Sequence, residues 1–178
     1  MATFILTVIG DDRPGLVSEI SAPISAHGAS WERSQMARLA GKFAGVLLLE
    51  VPDESAEALV GDLAALQHIG LHVTVERTGE PVERPSVRLH LELVGPDHPG
   101  IVAEISGALA TARIGIEELS TDVRDAPMAG GTLFEAQAVL RAPPTTSLDE
   151  LRSTLDSLAD RLMVQITLSD VVDSEVSG

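Results

Sequence analysis

A twelve-residue stretch occurs twice in this chain, 85 positions apart. Gly10-Asp11-Asp12-Arg13-Pro14-Gly15-Leu16-Val17-Ser18-Glu19-Ile20-Ser21 returns as Gly95-Pro96-Asp97-His98-Pro99-Gly100-Ile101-Val102-Ala103-Glu104-Ile105-Ser106, and eight of the twelve positions are identical. An interval this long is not a short solenoid period; it is the length of a small domain, present twice. The fold must therefore be one that about 80 residues can build, and build again. The repeated stretch joins an apolar β-rich segment to a helical pattern. At such a junction the first helical N–H groups point outward and can receive an anion. Two related domains with two related small-ligand sites are the expectation.

Composition narrows the partners. The 178 residues are 44% hydrophobic but only 2% aromatic, so the core has to be built from Leu, Val, Ile and Ala. The net charge is −15, from 27 acidic and 12 basic residues. Phosphate contacts need Lys and Arg clusters, so direct nucleic-acid binding is disfavoured, and an anionic membrane surface with it. With no cysteine in the chain, disulfides, thiol catalysis and thiolate metal sites are excluded. The N-terminus runs straight into a strand-like segment without a basic, cleavable leader pattern, and no apolar run approaches the roughly 18 residues of a membrane helix. A cytoplasmic location is the expectation.

The periodicity reads as βαββαβ, twice. Thr3–Ile9 is a strand. Asp12 is placed to cap the next helix, with Pro14 in its first turn. Leu16, Val17, Ile20 and Ile24 recur at helical spacing, and Gly28 stops the helix. Pro23 predicts a kink or an early end; the second copy has Ala108 there and should be straighter. Ser30–Leu39 and Phe43–Val51 are strands joined by a turn at Ala40-Gly41-Lys42. Asp53 is placed to cap a helix whose buried stripe is Ala56, Leu59, Leu63 and Leu66. Leu71–Arg77 is the last strand. The order then repeats: strand Val87–Gly95, helix Gly100–Ala112, and strands Ile114–Arg124 and Thr132–Arg141 around a Gly/Pro-rich loop at 125–131. A capping box, Ser147-Leu148-Asp149-Glu150, opens a helix with a leucine stripe, and Met163–Val171 closes the sheet. The predicted domains are 1–78 and 86–171, with a Pro/Gly linker over 79–85 and an acidic tail over 172–178. The predicted class is α+β, two tandem ferredoxin-like units, each an antiparallel sheet with helices on one face. Bare edges and faces of such units can pair with each other or with another copy, so a homodimer is allowed.

The repeated loop has a physical rationale as a binding site. Gly15 and Gly100 let a ligand approach the backbone. The first N–H groups of the helix can hold a carboxylate, and Asp12 or Asp97 can accept an ammonium. Together these match the two charges of a free amino acid. The competing explanation is a plain helix start with a first-turn proline. His68 and His72 are four apart but straddle a helix end at Gly70, which argues against a metal pair. His98 stands where the first copy has Arg13. Trp31, with Ile116 as its equivalent, fits packing better than a pocket wall. Glu32 and Glu117 recur as exposed strand residues. No nucleophile motif, phosphate loop or acid–base set is present, so neither catalysis nor a cofactor is implied.

Gly-x-Asp-x-Pro-Gly-[Leu/Ile]-Val between an apolar strand and an amphipathic helix resembles the opening of an ACT domain. The resemblance covers nearly the whole chain as two tandem copies, and the whole-chain pattern is similar to the glycine cleavage system regulatory proteins. It implies a non-catalytic sensor of an amino acid, with glycine the suggested ligand, bound at module interfaces. The residues it implicates are Asp12, Arg13, Pro14, Gly15 and Leu16, and Asp97, His98, Pro99, Gly100 and Ile101. Ser30 and Gly115 stand at the second-strand starts, where relatives that bind serine-like ligands often carry Asn. Gly115 offers no side chain, which predicts a weak or empty second site. The resemblance implies a protein partner, either a transcription regulator or a metabolic enzyme acted on in trans. A structural assembly module with vestigial sites is the remaining alternative.

Overall fold

A computed structural model describes residues 1–79, 85–126 and 130–170. Residues 80–84 of the expected linker, 127–129 of the Gly/Pro-rich loop and the tail from 171 onward lie outside that description. The chain divides into two compact units, Met1–Val82 and Glu83–Gly178.

In the first unit β1 (Ala2–Asp11), α1 (Leu16–Ala26), β2 (Ser30–Leu39), β3 (Lys42–Val51), α2 (Ala56–Ala65) and β4 (Leu71–Thr78) follow in order. The sheet order is β2-β3-β1-β4, with every neighbour antiparallel. The second unit repeats it with β5 (Val87–Pro96), α3 (Ile101–Thr111), β6 (Gly115–Asp125), β7 (Thr132–Ala142), α4 (Leu148–Leu162) and β8 (Gln165–Asp170), in the order β6-β7-β5-β8. This is the α+β ferredoxin-like plan, twice.

Strand alternation builds each core. In β1 every second residue is buried (Ala2, Phe4, Leu6 and Val8), and these pack on the α1 stripe Leu16, Ile20 and Ile24 and on Leu59 and Leu63 of α2. The second unit sets Leu89, Leu91 and Leu93 against Ile101, Ile105 and Leu109 and against the α4 leucines 151, 155, 158 and 162. No polar or charged residue among those described is buried, so the core of each unit is held by apolar burial. At α4 the predicted cap is present: Ser147 Oγ accepts the Glu150 N–H at 3.3 Å.

Four local expectations are corrected. Asp12 does not cap α1, and Pro14 is not in its first turn; Gly15 is the N-cap and the helix begins at Leu16. A left-handed bend at Gly15 turns the chain after Pro14, leaving Asp12 three residues short of the cap. Pro23 does not shorten α1, which has 11 residues, as does α3. Burial of Ile24, 2% exposed, holds the helix together past the proline. Asp53 caps no helix; its carboxylate meets the Met1 ammonium at 2.8 Å.

The hairpin between β2 and β3 turns on two residues, Ala40 and Gly41, both at positive φ (49° and 77°). That geometry matches the twist of the strands but strains an alanine, by about 1 kcal/mol. Ala40→Asn is therefore expected to stabilise the protein by roughly 0.5–1 kcal/mol, read as a higher urea midpoint at unchanged slope.

Candidate functional site

Each repeated loop leaves the end of a central strand and enters a helix through one left-handed glycine, Gly15 at φ 96° and Gly100 at φ 91°. Nothing lies within 4 Å of where a Cβ would stand at either position. The glycine is thus required by the backbone angle and not by crowding. The Asp12 N–H donates to the Gly41 carbonyl at 2.9 Å, and the Asp97 N–H donates to the Thr132 carbonyl at 2.9 Å. Both loops are thereby pinned to the end of the adjacent hairpin. The first intrahelical bonds run from Glu19 to Gly15 (2.9 Å) and from Glu104 to Gly100 (3.0 Å). Neither N-cap contributes a side-chain hydrogen bond. The N–H groups ahead of those bonds have no intrahelical partner and lie at the positive end of the helix dipole, with Glu19 and Glu104 in the first turns.

The side chains of the two loops differ. In the first unit, Arg13 makes two 2.6 Å hydrogen bonds to the Glu19 carboxylate, and its Nη2 lies 3.4 Å from the Ile69 carbonyl oxygen. Arg38 of β2 reaches the Asp12 carboxylate at 3.3 Å. In the second unit, Glu104, the counterpart of Glu19, pairs instead with Arg161 of α4 at 3.1 Å. His98 is half-buried, with Nδ1 3.3 Å from the Pro99 carbonyl oxygen. Its Nε2 is shielded from solvent without a partner among the described residues. Asp97 is exposed, and no described cation pairs with it.

These ion pairs were not foreseen from the sequence. Arg13 and Glu19 are six apart, outside the usual helical spacing, and meet only because the glycine bend folds the loop back. Arg38 arrives from the hairpin. The repeat itself held one clue: Glu19 recurs as Glu104, whereas Arg13 does not recur.

Ser30 and Gly115 are not brought to the loops of their own units. Ser30 pairs with Glu50, which faces Thr3, whereas the loop leaves β1 after Asp11. Thr3 and Asp11 are roughly 25 Å apart at ~3.3 Å per strand residue. Gly115, opposite Arg141 in the row of Arg88, is equally remote from Asp97. One module's loop therefore cannot hold a ligand together with its own second-strand start. Trp31 packs on the first core, as expected. Glu117 stands at a strand irregularity, 3.0 Å from Arg88 and 3.7 Å from Arg141. No group of three metal-ligating side chains forms among the described residues. A shallow hollow between α3 and β6–β7 is lined by Val102, Ile105, Leu119, Phe134 and Ala138, with only Ser106 and Thr121 polar. It can take apolar groups but offers no charge for a zwitterion.

The geometry defines a class: a duplicated α+β protein carrying, in each half, a glycine-bent helix start without a side-chain cap. Residues 2–76, almost the whole of the first unit, match the ACT domain. It is 22% identical over 172 residues to the glycine cleavage system transcriptional repressor of Escherichia coli K12, covering 94% of this chain and 89% of that protein. It is 28% identical over 131 residues to a phosphoserine phosphatase of Mycobacterium tuberculosis, covering 71% of this chain but only 32% of the phosphatase. Among solved structures, a protein of unknown function from Galdieria sulphuraria shares the fold along the chain, with a TM-score of 0.86, 29% identity, and coverage of 96% and 99% of the two chains. Among the described residues no helix is long and apolar enough to cross a membrane.

Two predictions follow from the loop geometry. Gly100→Ala should destabilise the protein by about 1–2 kcal/mol although the space around it is open, because the cost lies in the backbone angle; thermal unfolding checks this. The second concerns acid. Arg13, chiefly through its hydrogen bonds and then through its charge, holds the Glu19 carboxyl below the usual carboxylate range. The stability this pair adds is present above the ordinary value of about 4.3 and lost as pH falls through the depressed one. Arg13→Gln should therefore be less stable than the natural chain at pH 7, and the gap should close progressively below pH about 4 in urea titrations.

Proposed function

We propose that this chain is a non-catalytic regulatory protein that binds a free amino acid at its glycine-bent loops and transmits occupancy to a protein partner. One observation carries the reading. In both copies a left-handed glycine opens a helix with no side-chain cap, a donor site for a carboxylate, and an aspartate, an acceptor for an ammonium, precedes that glycine by three residues. In the first loop the machinery is Asp12, Arg13, Pro14, Gly15 and Leu16; in the second it is Asp97, His98, Pro99, Gly100 and Ile101. Ser30 and Gly115, at the far ends of the sheets, stand apart from the loops of their own units.

Glycine is the first ligand to test, because the Escherichia coli relative that spans most of this chain is a repressor of the glycine cleavage system. A role in expression of such genes would pass through a second protein, since a net charge of −15 opposes direct contact with DNA. A second reading, a subunit acting in trans on an amino-acid enzyme, is favoured by the similarity to part of a phosphoserine phosphatase. Altered phosphatase activity on adding the chain would select it.

Ligand binding shifts an equilibrium only by its differential affinity for two states. Calorimetric titration with each of the twenty amino acids should give saturable heat with at least one, glycine foremost, and a matching rise in Tm. Absence of heat and of thermal shift with all twenty would overturn the proposal.

A further inference from the structure

We propose that the outer face of the first sheet is a homodimer interface: two copies of this chain pack it face to face about a two-fold axis that runs along the strands. The pairing requires no ligand.

Helices α1 and α2 cover one face of the β2-β3-β1-β4 sheet and leave the other bare. Residues directly opposite one another share a face, so the register gives the bare face row by row. From β2 across to β4, one row is Arg33, Leu48, Ile5 and Glu76. The next is Gln35, Val46, Thr7 and Thr74, and the one after is Ala37, Ala44, Ile9 and His72. The centre of this face is apolar, and Ile5, Val46 and Ile9 are 38%, 44% and 49% exposed.

The duplication supplies a control. At the corresponding positions of the second sheet Ile5 is His90, Val46 is Gln137, Ala44 is Glu135 and Ala37 is Asp122. His90 lies 3.4 Å from Glu92 there, and Arg124 pairs with Glu135. The same fold thus carries a polar outer face, and apolar residues at these positions are a property of the first unit, not a demand of its architecture. Contiguous apolar surface of this kind marks an interaction site.

Size and charge make the occupant a second copy. Four strands ~4.8 Å apart, about nine residues long at ~3.3 Å each, give roughly 550 Å² per face. Two such faces bury about 1,100 Å², above the roughly 1,000 Å² that a specific interface needs. The two-fold axis sets each residue against the mirror position in its own row. Leu48 meets Ile5 and Val46 meets Thr7. In the same row Arg33 of each copy meets Glu76 of the other, and neither has a partner among the described residues. At the loop end Lys42 stands opposite Asp11 and pairs with it. The same axis sets Lys42 against the other copy's Asp11, which makes an alternating cluster of four charges. Aligned sheets cross at about 30°, an offset that long Arg, Lys and Glu side chains span. The face is complementary to itself at its centre and in both charged rows.

Sedimentation equilibrium of the full chain tests this, with each variant first checked by circular dichroism. The natural chain should be dimeric at micromolar concentration. Val46→Glu puts two charges at the centre of the interface and should leave a folded monomer. Arg33→Glu and Glu76→Arg each turn two attractive pairs into repulsive ones and should raise the dimer Kd about tenfold or more. The double variant restores both pairs and should return Kd to within about threefold of the natural chain. Gln137→Glu, at the matching position of the second sheet, should change nothing. A natural chain that stays monomeric throughout the micromolar range, a dimer that survives Val46→Glu, or one lost equally in Gln137→Glu overturns the interface. Charge variants whose losses add in the double variant overturn the two-fold pairing of the rows.

Discussion

The left-handed glycine between the first strand and first helix of each unit is the constraint on which the rest depends. At φ 96° and 91°, Gly15 and Gly100 turn the chain where other residues are strained. The turn sets the helix start one residue later and aims Leu16 and Ile101 into the core, 4% and 3% exposed. It leaves the opening N–H groups without a side-chain cap and keeps Asp12 and Asp97 outside the helix. Packing and candidate chemistry are therefore consequences of one backbone angle, imposed twice.

Around that shared frame the two copies have diverged in charge. The backbone bonds from Asp12 to Gly41 and from Asp97 to Thr132 are equal in length and role. The side chains on them are not. The first loop is closed by Arg38 on Asp12 and by Arg13 on Glu19. In the second, Val123, His98 and Arg161 undo each closure in turn. Duplication preserves the cradle because the fold needs the bend; the charges around it are free to change because the core, which contains no buried polar residue among those described, does not depend on them.

Most of the fold was legible because its signals are local and periodic. Alternation in Thr3–Ile9 and leucine spacing after Ser147 required no partner to interpret, and the strand and helix of each appeared where the pattern put them. The misreadings share one cause. Asp12 has the chemistry of a cap, but the glycine three residues on moved the helix beyond its reach. Pro23 has the chemistry of a breaker, but Ile24 is buried and holds the turn. Asp53 has the chemistry of a cap too, but the Met1 ammonium, remote in sequence, claims it. In each case a tertiary contact or backbone angle outweighed a local propensity, about 1 kcal/mol for a cap and about 3 kcal/mol for a proline inside a helix.

By itself the amino-acid sequence determined the duplication, the order of strands and helices, the mainly aliphatic interior and the loops that matter, because each is written in spacing or composition along the chain. The tertiary structure alone decided which charges meet. Arg38 reaches Asp12 only when β2 hairpins onto β3, and Arg161 reaches Glu104 only when α4 packs beside α3. It also decided that Ser30 lies at the far end of the sheet from Asp12, a consequence of antiparallel register. Electrostatic partners are chosen by distance in space, and a linear sequence does not carry that distance.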